Sequence, residues 1–364
     1  MESNSAFFNE IPIEAIVLIL QFVPVLTMHS VVCTSKLLSN IAKHHLGYKQ
    51  KEFIVINNMM ELKRLYKEAR CLIMTKTTSI YFEISKTSIL WYLQGAYAIA
   101  LHKAVDNNVD FTDLKVIDSI EFACDCRVTD DHLKQLAGIH KISCRKAQIS
   151  DDGIKALSGV HTIDLSGCKG ITDEGVKALA GVHEIRLEHC DGITDEGIKS
   201  LGSVHTIDLG HCQEISDEGI KALARVHTID LRFCQYITDE GIKALAGVHE
   251  IRLEDCNGIT NEGMKALAGV HSITLCDNRQ ITNEGVRALA GVHNICLNGN
   301  THVTDSGIKA LVGVHEIHLG SCSKVTDKSI KMLVGVHTIN LRNTEVSDAS
   351  IKALAGVHTI DLSR

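Results

Sequence analysis

A repeat of 22 residues constrains the fold of this chain more than any other feature of its sequence. Within the 364 residues, a histidine preceded by valine or isoleucine returns at a nearly constant interval. These histidines are His140, His161, His183, His205, His227, His249, His271, His293, His315, His337 and His358. The first step is 21 residues, the next eight are 22, and the last is 21. A constant period of about 20–50 residues is typical of a solenoid, whose repeats bury their apolar faces against one another.

Each repeat combines one strand pattern with one helix pattern. Apolar and polar residues alternate in 161–165, which predicts a short strand with Ile163 and Leu165 facing inward. Thr172 then stands where a helix N-cap is expected, and the two acids after it suit the positive end of a helix. Gly181 is expected to end this helix in the left-handed conformation. Stacked repeats of this kind give parallel strands on one side and short helices on the other.

The repeated pattern covers residues 116–364 and predicts about eleven to twelve repeats, with twelve strand positions. Its Leu-x-x-Cys-x-x-Ile-Thr-Asp-Glu-Gly-Ile-Lys-Ala-Leu pattern resembles the cysteine-containing leucine-rich-repeat family. The resemblance implies an α/β fold, a curved solenoid with a parallel sheet on the concave face and short helices on the convex face. Repeats of that family are usually longer, so the helical segments here are expected to be trimmed.

Cysteine recurs at one position of the repeat, but two repeats carry asparagine there instead. The set comprises Cys168, Cys190, Cys212, Cys234, Cys256 and Cys322, with Asn278 and Asn300 at the equivalent places. A metal or redox centre would not accept that exchange, whereas a ladder of side-chain hydrogen bonds to neighbouring backbone would. We therefore expect these residues to be structural and predict no cofactor and no metal.

The recurring histidines are interpreted first as turn residues at the entrance of each strand. Their identical position in every repeat also suggests a ladder of imidazoles about 5 Å apart, which would repel one another once protonated. A zinc or nickel site between adjacent rings is a third interpretation, but no carboxylate or thiol spacing supports it.

The side chains that point out of the sheet vary from repeat to repeat, unlike those that point in. They include Glu184, Arg186, Asp208, Asp230, Arg232, Glu250, Arg252, Glu254, Glu316 and His318. A constant scaffold with a varied surface is what a protein-binding face requires, so these residues are the predicted target-binding set. The alternative is a solvated sheet face of mixed charge.

The N-terminal 8–45 segment has the pattern of a compact helical module. Pro12 suits the first turn of a helix, and Pro24 ends the apolar helical run that follows it. The segment resembles an F-box in Ile11-Pro12-Ile13-Glu14, Val23-Pro24 and Val32-Cys33-Thr34-Ser35-Lys36. The resemblance implies docking of a Skp-type adaptor through Ile11, Pro12, Ile16, Ile19, Leu20, Val23, Pro24, Val32 and Lys36. A small helical cap without a partner is the alternative.

Residues 46–115 are expected to link the F-box to the repeats as a cap or as degenerate repeats. The segments EFIVI and SIYFEIS predict strands, whereas MMELKRLYKEA and SILWYLQGAYAIALHKAV predict helices. The order of F-box and repeats resembles F-box/leucine-rich-repeat substrate receptors. By that resemblance the chain would join a target protein to a cullin-RING ubiquitin ligase.

Three classes of function remain to be compared. The first is the ligase substrate receptor, and the second is a scaffold or decoy that binds a partner without recruiting a ligase. The third, an enzyme, is disfavoured because no nucleophile elbow, zinc-protease motif or phosphate-binding loop is present. The net charge of −7 offers no basic field for nucleic acid or an anionic membrane. The first residues lack the basic region of a signal peptide, so a cytoplasmic protein is expected, with the nucleus also open to it.

Overall fold

The computed structural model describes residues 52–56, 78–83, 98–102, 111, 118–122 and 127–363, with the segments before residue 111 described by their backbone alone. Two compact units divide the chain, Met1–Val160 and His161–Arg364. The predicted F-box of residues 8–45, with all of its adaptor-binding residues, lies outside the described residues. The limits drawn from the sequence for the F-box, the linker and the solenoid remain predictions.

The first unit contains five parallel strands, each paired with its neighbour in chain order. They are β1 (Glu52–Ile56), β2 (Thr78–Glu83), β3 (Ala98–His102), β4 (Ser119–Phe122) and β5 (Lys141–Ser143). Helices α1 (Asp130–Gln135) and α2 (Asp151–Lys155) follow the last two strands. The strands predicted from EFIVI and SIYFEIS are confirmed. The helix predicted over 88–105 is wrong at 98–102, because the apolar residues there pair as a strand between β2 and β4.

The second unit is the regular part of the solenoid. Its strands are β6 (Thr162–Asp164), β7 (Glu184–Arg186), β8 (Thr206–Asp208), β9 (Thr228–Asp230), β10 (Glu250–Arg252), β11 (Ser272–Thr274), β12 (Asn294–Cys296), β13 (Glu316–His318), β14 (Thr338–Asn340) and β15 (Thr359–Asp361). Each strand pairs in parallel with the next, and the register joins equivalent residues such as Ile163 and Ile185. The twelve predicted strand positions are confirmed as β4 to β15.

Short helices connect the strands of the second unit. They are α3 (Asp173–Lys177), α4 (Asp195–Ile198), α5 (Asp217–Lys221), α6 (Asp239–Ala244), α7 (Asn261–Ala266), α8 (Asn283–Ala288), α9 (Asp305–Ile308), α10 (Asp327–Ile330) and α11 (Asp348–Ala353). Single 3₁₀ turns at Lys199–Leu201 and Lys309–Leu311 extend α4 and α9. With four to six residues each, these are the trimmed helices that the short repeat requires. Every helix in the described ranges is too short or too polar to span a bilayer.

The core of each repeat is built from the residues that recur most strictly. Ile163, Leu165, Ile171 and Val176 have no solvent exposure, and the same positions are buried in the following repeats as far as Leu341. In the last repeat they are partly exposed, as at Leu362. Burying one such aliphatic side chain contributes roughly 1.5–3 kcal/mol, so the stack has a continuous apolar interior between the strands and the helices.

The segment at the start of the helix, Thr-Asp-Glu-Gly in several repeats, joins each repeat to its neighbours. Thr194 caps α4 by accepting a hydrogen bond from the Glu196 amide at 3.3 Å. The Thr194 amide and hydroxyl both donate to the Asp173 carboxylate of the preceding repeat, each at 2.8 Å. A Cβ on Gly197 would lie 2.5 Å from Asp173 Oδ1, which explains glycine at this place. We call this contact the aspartate clamp; it gives the repeated acids a structural role.

Left-handed backbone residues occur at two places in the repeat, after the strand and, in some repeats, at the end of the helix. Gly181 is not in the left-handed region, and Ser203 and Arg225 stand at the equivalent position. The prediction was therefore wrong at Gly181, but it holds for the equivalent glycines of five other repeats, Gly138, Gly159, Gly291, Gly313 and Gly335, whose φ is positive. A second residue with positive φ is the third after the strand, as with Gly167 (74°) and Phe233 (61°). This conformation lets the chain turn sharply away from the sheet.

Candidate protein-interaction face

The solvent side of the sheet in the second unit presents three columns of varied side chains. We define the strand face as the first and third residues of β6 to β15 and the residue two positions after each strand. The ten predicted target-binding residues all belong to these columns, at Glu184, Arg186, Asp208, Asp230, Arg232, Glu250, Arg252, Glu254, Glu316 and His318. The alternation of the strands brings them onto one surface because the inward partners form the core.

A charged cluster occupies the middle of the strand face. Asp230 Oδ2 lies 2.7 Å from Arg232 Nε and 3.8 Å from Arg252 Nη1. Asp230 is 7% exposed, because these arginines cover it, so it is the most buried of the predicted target-binding residues. The guanidinium groups remain partly exposed, and they are the part of the cluster that another protein can reach.

Two further carboxylates flank this cluster and are partly desolvated by it. Burial first, and then the neighbouring Asp230 carboxylate, raise the pKa of Asp208 above its ordinary value. Burial likewise raises the pKa of Glu254, against the opposing effect of Arg232. Half-buried carboxylates beside solvent-exposed arginines form a surface with both positive and negative charges. Such a surface favours a partner that also carries charges of both signs over a polyanion.

Pairs of ionisable residues, at the first and third positions of one strand, complete the face. Glu184 Oε1 lies 3.0 Å from Arg186 Nη2, and Glu316 Oε1 lies 2.7 Å from His318 Nε2. Both pairs are solvent-accessible, so each contributes little to stability. Their side chains are available to exchange one partner for another on binding.

Two residues of the same face were not included among the sequence-based candidates. Cys296 ends β12 and Cys276 lies two residues after β11, and their Sγ atoms are 3.0 Å apart. Alignment on the 22-residue period, which places them in the varied columns, was the signal that could have found them. Cys276 also lines an open cleft of about 640 Å³ with Phe233, Asp277 and His302.

The recurring histidines form a continuous stack at the strand entrances. The histidine ladder consists of His161, His183, His205, His227, His249, His271, His293, His315, His337 and His358, all exposed. Neighbouring ring centroids are 4.5–4.6 Å apart. Slight burial first, and then the adjacent imidazoles, lower the pKa of His227 and of His271. The expected spacing and turn position are confirmed.

The cysteines of the interior form the predicted hydrogen-bonding ladder. Cys234 Sγ donates to the Leu209 carbonyl at 3.2 Å, and Cys190, Cys212, Cys256 and Cys322 make the equivalent bond. Asn278 replaces the thiol and donates to the Leu253 carbonyl at 2.6 Å. Burial raises the pKa of Cys212 to about 12, so the thiols of this ladder stay protonated. Cysteine and asparagine interchange because each supplies one donor at this point.

Comparison with known families identifies part of the repeat array. A leucine-rich-repeat family model matches five consecutive segments, residues 160–180, 182–202, 203–224, 226–246 and 248–268. These segments are leucine-rich repeats, as the sequence predicted. An F-box was not detected. No curated protein sequence matches the chain.

Solved structures share the fold at low sequence identity. An internalin from Listeria monocytogenes has a TM-score of 0.59 at 15% identity, covering 83% of this chain and 89% of that chain. Mouse RP105, solved in complex with MD-1, has a TM-score of 0.55 at 13% identity over 87% of this chain and 60% of its own. A leucine-rich-repeat protein of Leptospira interrogans has a TM-score of 0.50 at 15% identity, over 84% and 94%.

Proposed function

We propose that the leucine-rich repeats of this chain bind a protein target through the strand face and that an F-box in residues 8–45 joins that target to a ubiquitin ligase. The observation that supports target binding is the contrast within one repeat. Inward positions are nearly constant and are buried in all but the last repeat, whereas the strand face varies and carries the charged cluster. Stability alone does not require that variation, because the sheet face makes no contribution to the apolar core.

The chemistry of the face indicates binding rather than catalysis. Asp230 is buried and neutralised by Arg232, so this carboxylate is not free to act as a base. Leucine-rich repeats are generally non-catalytic interaction scaffolds. In the proposed role, the chain contributes proximity by holding two partners on one body, while a separate ubiquitin-conjugating enzyme transfers ubiquitin.

The strand face can be tested by reversing the charge of its reachable arginines. The double variant Arg232→Glu, Arg252→Glu should lose a target found by proximity labelling of the wild-type chain in cells. Each arginine at the centre of an interface contributes about 1–3 kcal/mol, so the pair should weaken binding at least tenfold. Lys177→Glu is the control, because Lys177 lies on the helix side and its exposed pair with Glu174 is not part of the strand face. Equal loss in both variants would reject the strand face as the binding surface.

The adaptor interaction is tested separately from target binding. Purified wild-type chain is mixed with a Skp-type adaptor, and the double variant Pro12→Ser, Leu20→Ser serves as the comparison. Capture by the wild type and not by the variant, with unchanged unfolding of the repeats, supports the substrate receptor. Absence of capture by the wild type rejects the ligase role and favours the second candidate, a scaffold or decoy that uses the same strand face.

A further inference from the structure

Cys276 and Cys296 differ from the other cysteines in the described part of the chain. The remaining seven, Cys144, Cys168, Cys190, Cys212, Cys234, Cys256 and Cys322, are buried. Cys276 and Cys296 are only half-buried, and their thiols are in contact at 3.0 Å. Small reagents in solution can therefore reach these two sulfur atoms, whereas the packing of the stack excludes them from the other seven.

The strand register places the two thiols as diagonal neighbours. Thr274 pairs with Cys296 across β11 and β12, and Cys276 follows Thr274 by two residues, on the same side of the sheet. A disulfide needs a sulfur separation of about 2.05 Å, so the thiols must approach by about 1 Å. The Cα atoms of diagonal neighbours are about 7–8 Å apart, so closing the bond also needs a small backbone movement. Cys276 lies beyond the end of β11, where such a movement does not break the pairing of the strands.

The environment of the pair activates one sulfur and not the other. Either thiol can donate the hydrogen bond between the two sulfur atoms. Donation by Cys276, the Asn298 backbone amide and His318 all stabilise a thiolate at Cys296 and lower its pKa, despite its burial. The same contact, together with burial, raises the pKa of Cys276. At neutral pH Cys296 is therefore the nucleophile, because the thiolate is the form that attacks a disulfide.

The cleft that Cys276 lines lies next to the pair, because Cys296 Sγ is 3.0 Å from Cys276 Sγ, and its walls set the preferred charge of an approaching molecule. Its walls include the acids Glu254, Asp255 and Asp277 and one arginine, Arg279. Three carboxylates against one guanidinium attract a cation more strongly than an anion. Phe233 and Thr301 add uncharged walls, so a small positively charged disulfide fits this approach best.

We infer that Cys276 and Cys296 are a thiol–disulfide exchange site that small cationic disulfides oxidise to an intrachain disulfide. The Cys296 thiolate attacks one sulfur of the small disulfide, forms a mixed disulfide and releases the first thiolate. Cys276 then loses its proton to solvent and attacks Cys296 Sγ, which expels the second thiolate. Two protein thiols and one small disulfide thus become one protein disulfide and two small thiols. This chemistry is independent of any target or adaptor.

Cystamine, a disulfide with two amino groups, is the probe for the full-length chain at pH 7.5. After reaction and blocking of free thiols, trypsin places Cys276 in peptide 266–279 and Cys296 in peptide 288–309. The expected result is a disulfide-linked pair of these peptides, formed at least tenfold faster in native protein than in urea. Buried Cys256 should remain free in the same sample. Separate, unlinked peptides from the native protein would overturn the inference.

Single variants separate the two roles of the pair. Cys276→Ser should hold a stable mixed disulfide with cysteamine on Cys296, because the second attack is missing. Cys296→Ser should react at least tenfold more slowly, because the remaining thiol lacks activation. Cys256→Asn is the matched control, because asparagine already stands at the equivalent position as Asn278. This variant should form the linked pair of peptides like the wild type. A faster reaction of Cys296→Ser than of Cys276→Ser would contradict the assigned order of attack.

Discussion

Removing one aspartate clamp tests the proposed origin of the contact between repeats. Asp239 begins α6 and accepts three hydrogen bonds from the next repeat: the Thr260 amide at 2.8 Å, the Thr260 hydroxyl at 2.6 Å and the Gly263 amide at 3.0 Å. The substitution Asp239→Ala removes all three acceptors. Asp239→Asn keeps one carbonyl oxygen and replaces the other oxygen with an amide group of similar size. Comparing the two variants therefore separates the contribution of the hydrogen bonds to stability from that of the negative charge.

The magnitude follows from the number of bonds and their partial exposure. A hydrogen bond to a charged group contributes about 1.5–3 kcal/mol when buried, and water replaces part of that at a half-buried site. Three such bonds therefore give a loss of about 2–4 kcal/mol for Asp239→Ala. The negative charge at the start of a helix contributes about 0.3–1 kcal/mol more, and both substitutions remove it.

The chain itself shows that asparagine can replace the aspartate. Asn261 Oδ1 accepts from the Thr282 and Gly285 amides, both at 3.0 Å, and Asn261 Nδ2 donates to Thr282 Oγ1 at 2.9 Å. Asp239→Asn should thus lose less than about 1 kcal/mol, the part due to charge.

The assay is urea unfolding of the full-length chain followed by circular dichroism at pH 7.5, with hydrogen exchange at Thr260 and Gly263. The two amides should exchange faster in Asp239→Ala, while those of distant repeats are unchanged. Equal destabilisation by alanine and asparagine would refute the role of the hydrogen bonds. A loss below about 0.5 kcal/mol for alanine would refute the clamp itself.

Three further predictions follow from other contacts of the stack. Gly219→Ala places a Cβ 2.5 Å from Asp195 Oδ1 and should lower the free energy of unfolding by about 1–3 kcal/mol. Gly247→Ala, whose Cβ would have nothing within 4 Å, should leave the stability unchanged or slightly higher, and similar urea midpoints for the two variants would contradict the steric argument. Cys234→Ala removes the bond to the preceding carbonyl and should cost about 1–2 kcal/mol, while Cys234→Asn should retain most of the stability, as a paired thermal melt would show. The pKa of His227 is lower in the folded chain than in the unfolded chain, so the unfolded chain takes up protons first as the pH falls. The stability should therefore decrease from pH 7.5 to 5.5, and an unchanged urea midpoint between these values would reject a pH-sensitive ladder.

The amino-acid sequence alone determined the local plan of the repeat. Alternation in 161–165 was enough to predict the strand and the inward direction of Ile163 and Leu165, because a strand has only two faces and one must be apolar. The interchange of cysteine and asparagine predicted the hydrogen-bonding ladder, because only that chemistry is common to both side chains. The period then predicted the parallel stack, since no repeat buries its apolar face alone.

The contacts between repeats were decided only in the tertiary structure. Three features depend on residues that lie close together only in the stack: the aspartate clamp, the burial of Asp230 and the contact between Cys276 and Cys296. The burial of Asp230 and the cysteine contact also depend on the rotamers of the neighbouring side chains. The sequence pattern placed the two cysteines in the same columns as charged residues, but it contained no information on the distance between their sulfur atoms. That distance depends on the spacing of adjacent strands and the direction of two side chains, which packing sets only when the whole stack has formed.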